Sequence, residues 1–197
     1  MPPIRLPSVS DMRIRHLLII VVAVCLCSCG GSSVPKPYGY VRYFVPDTAY
    51  ASFDYWGVCR FDMSENAVEQ RREEQYWSNI RYPQLNAVIH CSYYPVRGNL
   101  RDLSDDAQEF VYKHSGKANA IREAGFDDDL HHVHGVFYTL DGNTASPYQF
   151  YLTDSTRHFF RAALYFNCLP NQDSLQPAID YMRLDMIRMV ESMRWKP

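Results

Sequence analysis

Several marks that announce an activity are missing from this 197-residue chain. It has no Gly-x-x-x-x-Gly-Lys-Ser/Thr and no Gly-x-Gly-x-x-Gly, the loops that wrap phosphates in backbone N–H groups, so nucleotide binding has no motif behind it. No Gly-x-Ser-x-Gly elbow presents a nucleophile. An excess of one charge is also lacking: 20 Lys+Arg stand against 22 Asp+Glu, which removes the electrostatic footprint of a nucleic-acid binder. Nor is there an apolar run of the roughly 20 residues that a comfortable membrane span needs. What the chain does have is 47% apolar residues, enough for a real core, and 14% aromatics led by fifteen Tyr, which favour strands and amphipathic contact surfaces.

The one long apolar run, Leu17 to Cys27, follows Arg13, Arg15 and His16 and leads into small residues. A basic segment, a short apolar segment and small residues, in that order, form the pattern of an export signal. The run ends in Leu26-Cys27-Ser28-Cys29-Gly30. This resembles a bacterial lipobox, with a branched apolar residue at −3, a small one at −1 and cysteine at +1. The cysteine is needed for its thiolate, which accepts a diacylglyceryl group. Each buried CH₂ contributes about 0.8 kcal/mol, so several acyl chains anchor far more firmly than one. Cys25 and Cys27 are alternative cysteines, but only Cys29 combines the Leu/Ser spacing with a following Gly-Gly-Ser-Ser tether. The expected organisation is a lipoprotein signal peptide over 1–28, a lipidated Cys29 with a flexible tether over 29–37, and one domain over 38–197. Cleavage before Cys29 leaves 17 basic and 21 acidic residues. An acidic cluster after the lipidated cysteine would resemble the surface-export tag of some bacterial lipoproteins; none follows Cys29, which favours a protein facing the periplasm and leaves inner versus outer membrane open.

Three further cysteines, Cys59, Cys91 and Cys168, lack Cys-x-x-Cys spacing, so thioredoxin-like chemistry has no support. An oxidising compartment permits a disulfide, yet the odd number leaves at least one thiol unpaired. Cys91, in an apolar segment, reads as a small buried hydrophobe.

Beyond the tether the pattern predicts strands over 38–45, 51–55, 85–93, 133–140, 148–153 and 158–166. The charged, Gln-rich stretch 65–77 reads as an exposed loop or short helix. Asn99 caps a predicted helix that turns Leu100, Leu103, Ala107, Phe110, Val111 and His114 inward at three- and four-residue spacing. A last helix carries Leu175, Ile179, Met182, Met186, Met189 and Met193 in one stripe, with Asp173 placed to accept from its first-turn amides. A methionine stripe can serve sulfur-metal or promiscuous binding, but at helical spacing core packing is the stronger reading. The order of elements describes an α+β fold, a single domain with one antiparallel sheet flanked by helices. That order is similar to the PsbP/Mog1-type sandwich, an analogy of fold that says nothing of function.

Two clusters carry candidate chemistry. His131, His132 and His134 can present imidazoles to Zn²⁺ or Cu²⁺, with Asp127, Asp128 and Asp129 adding oxygens. That is half a site, since no second Cys/His pair has ligand spacing, and a polar turn entering a strand explains the same residues. Asp154, Ser155 and His158 put an acid, a hydroxyl and an imidazole together. A triad requires convergence in space, however, and neighbours on a turn point apart; a tight hairpin capped by Asp and Ser is the plainer account. Arg157 and Arg161 suit an acidic partner or a solvated strand face equally.

Several segments together resemble the gliding motility lipoprotein GldD family of Bacteroidetes. They are Pro35-Lys-Pro-Tyr-Gly-Tyr40, Trp77-Ser-Asn-Ile-Arg-Tyr-Pro83, Tyr112-Lys-His-Ser-Gly-Lys-Ala118, Gly142-Asn-Thr-Ala-Ser-Pro-Tyr-Gln-Phe150, and Thr153-Asp-Ser-Thr-Arg-His-Phe-Phe-Arg-Ala-Ala-Leu-Tyr-Phe166. Pro170-Asn-Gln-Asp-Ser-Leu-Gln-Pro177 and Trp195-Lys196 complete the pattern. The resemblance implies a membrane-anchored, non-catalytic lipoprotein of the cell envelope, an accessory to gliding motility and the type IX secretion machinery. It implies no cofactor and no catalytic residues; only Cys29 transfers, as the lipid-bearing residue. Other envelope proteins are the expected partners, with Tyr40, Tyr43, Arg157 and Arg161 as candidate contacts. The alternative is a periplasmic lipoprotein that binds a metal or small ligand through His131–His134. Ala162 departs from the family's usual Gly, a change that matters only where φ > 0 is required.

Overall fold

The computed structural model describes residues 49–72, 76–113 and 115–197. Among the described residues five strands precede a helix: β1 (Tyr50–Tyr55), β2 (Cys59–Ser64), β3 (Val68–Arg72), β4 (Trp77–Tyr82) and β5 (Ala87–Pro95). Helix α1 (Leu100–Lys113) follows, then β6 (Ala118–Asp128), β7 (Val133–Gly142), β8 (Tyr148–Thr153) and β9 (His158–Phe166). Helix α2 (Gln172–Glu191) and the two-residue β10 (Arg194–Trp195) close the chain. The fold is α+β, as expected, but among the described residues two sheets are present rather than one. A seven-stranded sheet runs β3-β4-β5-β9-β8-β7-β6, and a three-stranded sheet runs β1-β2-β10. Every pairing is antiparallel.

The stretch expected as loop or helix over 65–77 instead supplies β3 and the start of β4. β3 (Val-Glu-Gln-Arg-Arg) is an edge of the large sheet, and edges carry charge because it discourages pairing with other chains. The opposite edge, β6, is likewise mostly exposed. Between β1 and β2 the chain turns through Trp56 and Gly57, both at positive φ (52° and 69°). An aromatic residue rarely sits there. It is held by its indole Nε1, which donates to Ser78 Oγ at 2.9 Å, and by the Arg71 guanidinium 5.1 Å above the ring.

The core lies on one face of the large sheet. Ile80, Ile89, Phe150, Leu152, Phe160, Ala162 and Leu164 point from β4, β5, β8 and β9 toward α2 and the small sheet. Phe160 meets Tyr55 edge-on at 5.1 Å and Phe61 at 5.7 Å, which joins the two sheets. The methionine stripe is core: Met182, Met186 and Met193 are wholly buried. Tyr181 and Asp185 of α2 are buried too, because β1 and β2 cover a further side of the helix. The cap of α2 is Asn171 rather than Asp173, its side chain accepting from the Ser174 N–H at 3.3 Å. Ala162 is a regular β9 residue paired with Cys91 and Phe150 and takes no positive φ, so glycine is not required there.

On the other face α1 covers only part of the sheet. Ala107 and Val111 are buried, Val111 packing with Tyr138 and Leu140, whereas Phe110 is exposed. Among the described residues no helix is long and apolar enough to cross a membrane.

Candidate functional site

The β6–β7 hairpin turns through Asp129 to His132, and this geometry divides the histidine cluster. His131 Nδ1 bonds Asp128 Oδ2 at 2.8 Å, and this contact holds the Asp128 carboxyl below its ordinary value. His132 sits at φ 52° in the turn, and its carbonyl accepts from the Trp195 indole at 2.9 Å. His134 bonds Asp127 across the hairpin. Two imidazoles are therefore turned to separate aspartates, and His132 makes its contact through the backbone. Among the described residues, the side chains whose donor atoms gather within 4.8 Å are Asp127, Asp129 and His134, on exposed ground.

Asp154 builds the β8–β9 turn. Its Oδ1 accepts from the N–H groups of Thr156, Arg157 and His158 at 3.0, 2.7 and 2.8 Å. Burial alone would raise this carboxyl, but those backbone donors and the Thr156 hydroxyl bring it below its ordinary value. Ser155 stands at φ 66° in the turn, while the His158 Nδ1 is engaged by the Tyr93 hydroxyl at 2.8 Å. His158 also stacks on Trp195, with ring centroids 5.1 Å apart and planes 8° from parallel. Burial holds its imidazole below the ordinary value, opposed by Asp154 and reinforced by Arg157. The acid is thus spent on shaping the turn and the imidazole on joining the two sheets. A groove of about 510 Å³ lies here, lined by His131, His132, Asp154, Arg157, Trp195 and Lys196 among others.

A second groove, of about 330 Å³, opens on the α1 side of the large sheet. Register explains it. Trp77 on β4 faces Ser92 on β5, and Ser92 faces Arg161 on β9. A small residue between two large ones leaves a hollow, which His90, Tyr94 and Phe110 wall in. Arg161, expected as a partner contact or solvated strand residue, is half-buried here. Its Nη2 donates to Gln149 Oε1 at 2.8 Å, and its guanidinium lies 4.7 Å from the Phe110 ring centroid. Arg157 remains exposed in its turn and belongs to the other groove. Sequence patterning missed this second groove because its residues lie between 77 and 161 and share only a sheet row. The signal available was the outward alternation of Trp77 and Asn79 on a strand not recognised as one.

The family model described as gliding motility lipoprotein GldD matches residues 30–195. The chain belongs to this family. No curated protein matches it. The GldD family is one of lipoproteins linked to gliding motility, and the matched span contains every described strand and both helices. Cys29, Tyr40, Tyr43 and the strand expected over 38–45 lie outside the described residues, as does His114. The cysteines among the described residues are free: Cys59 and Cys91 are buried and Cys168 is exposed. Burial pushes the Cys59 and Cys91 thiols up, away from the reactive thiolate.

Proposed function

We propose that this GldD-family lipoprotein is a non-catalytic accessory of the gliding and type IX secretion machinery, tethered by acyl chains at Cys29 and facing the periplasm. The signal peptide over 1–28 is removed, residues 29–37 form the tether, and the domain over 38–197 makes the contacts. Tethering acts through concentration: confined to a membrane surface, the domain meets membrane partners far more often than it would free. Family membership is the observation that carries the reading. The absence of turnover is supported by the condition of the best candidate chemistry, with Asp154 saturated by turn donors and His158 engaged by Tyr93 and Trp195. Tyr40, Tyr43 and Arg157 are the contact residues put forward.

The test is affinity purification from crosslinked cells, comparing wild type with Cys29→Ala, alongside metabolic labelling with a radioactive fatty acid. Label on wild type alone, and secretion or motility proteins recovered only with the lipidated form, is the expected result. Equal label on Cys29→Ala overturns the anchor, and equal recovery of partners overturns the tethering mechanism.

The second reading, metal binding, has one observation in its favour, the approach of Asp127, Asp129 and His134. It differs from the expected trio in keeping one histidine of three. Stoichiometric Zn²⁺ uptake lost in His134→Ala and retained in His131→Ala supports it.

A further inference from the structure

The groove beside α1 holds a feature found nowhere else among the described residues: a half-buried arginine in an aromatic setting without a carboxylate. Arg71, Arg101, Arg122, Arg157, Arg188 and Arg194 each have an acidic partner within 4.0 Å. Arg161 has Gln149 Oε1 and the face of Phe110. The Gln149 side chain is itself buried, and its Nε2 has no partner. A guanidinium taken partly out of water loses hydration that one neutral acceptor and one ring restore only in part. Its planar fork has five N–H donors and matches a carboxylate in two parallel hydrogen bonds. The hollow in front of it is floored by Ser92 and walled by Trp77, Tyr94 and Phe110, surfaces suited to a flat apolar body. About 330 Å³ falls within the range of small-molecule sites.

We propose that this groove binds a small monocarboxylate with an aromatic or branched apolar body, its carboxylate on Arg161 and its body between Trp77, Tyr94 and Phe110. A single cation in an apolar hollow balances one negative charge and suits a carboxylate better than a phosphate, which carries nearly two at neutral pH and is more heavily hydrated. Arg161 anchors, and Ser92 admits: a larger side chain at 92 fills the floor of the groove. The ligand is distinct from the envelope partners proposed above, and its loss leaves the anchor at Cys29 intact.

Equilibrium dialysis of the full chain in non-ionic detergent, against detergent alone, tests this with phenylacetate and its neutral isostere phenylacetamide. Phenylacetate is expected to bind with a dissociation constant of about 1 mM or tighter. Phenylacetamide, which lacks the charge, is expected to bind at least about tenfold more weakly. Ser92→Phe is expected to abolish phenylacetate binding while the thermal midpoint stays near that of wild type. Equal binding of acid and amide overturns the assignment to Arg161. Undiminished binding by folded Ser92→Phe overturns the groove, and no uptake of phenylacetate overturns the proposal. Should Ser92→Phe fail to fold, the acid–amide comparison on wild type still decides. A peptide ending in phenylalanine that binds while phenylacetate does not would overturn the small-molecule reading in favour of a chain terminus.

Discussion

The two faces of the seven-stranded sheet are built on opposite terms. One is closed by α2 and the small sheet and is lined by Ile, Leu, Phe and Met with almost no accessible surface. The other is covered by α1 over a small patch around Val111, Tyr138 and Leu140, and beyond it exposes Trp77, Asn79 and His90 beside a half-buried Arg161. The closed face concentrates the hydrophobic stabilisation, because that term scales with apolar area removed from water. The open face keeps polar groups at the surface, where they cost little stability and remain available for recognition. The tethered accessory proposed above would use both, one face as a platform and the other as a contact surface.

The largest expected effect comes from opening the closed face. Phe160 is wholly buried and touches Tyr55, Phe61 and Phe150, so Phe160→Ala removes the ring that joins both sheets. A loss of about 3–5 kcal/mol is expected, read by denaturant unfolding of the full chain. A loss below about 1 kcal/mol would falsify the claim that this face dominates stability. Next comes Gly135 on β7, where a Cβ would lie 2.0 Å from the Tyr151 carbonyl oxygen. Because the obstacle is backbone, β7 and β8 must separate to admit it, and Gly135→Ala is expected to cost about 1–3 kcal/mol. Val111→Ala tests the smaller patch under α1. With two methyl groups removed from a buried site, about 1.5 kcal/mol is expected, well below the Phe160 effect. Trp77→Ala, on the open half, should change stability by no more than about 0.5 kcal/mol. A larger change would mean that the open face is structural after all.

The sequence made the closed face far more legible than the open one. The α2 stripe and strands β5, β8 and β9 were readable because burial imposes period: 4, 3, 4 and 3 residues along the helix, and dense β-branched and aromatic runs in the strands. The edge strands β3 and β6 were not readable, since an edge facing water is charged and loses the alternation that marks a strand. β4 escaped because Ser78 points inward, where Trp56 Nε1 and Glu69 use its hydroxyl, while the larger Trp77 points out. The histidine cluster was visible as composition, but its partition among Asp127, Asp128 and Trp195 depends on a turn at positive φ and on β10, more than sixty residues away. The Arg161 groove exists only once β4, β5 and β9 are in register.

The smallest effect expected is a pH dependence, and it contrasts the imidazole closed into the core face with those left outside. His158 is 7% exposed, bonded to Tyr93 and stacked on Trp195, with Asp154 and Arg157 as its charged neighbours. Burial holds its folded pKa below the unfolded value of about 6.5. Over the interval between the two, the unfolded chain binds the extra proton, so stability is fully present above about pH 6.5 and declines as pH falls below it. Asp154 and Asp128 are depressed carboxyls whose contributions are lost only at lower pH, below the usual carboxylate value. Asp185 runs the other way: burial raises its carboxyl, so acidification relieves a cost instead of adding one. Both effects cancel when wild type is compared with His158→Gln, which keeps a side chain able to bond Tyr93. The thermal midpoint of wild type should fall between about pH 7.5 and 5.5, and that of His158→Gln should fall less. Parallel curves would mean that the imidazole is already solvated in the folded chain, and that the closed face is open at the end where Trp195 covers it.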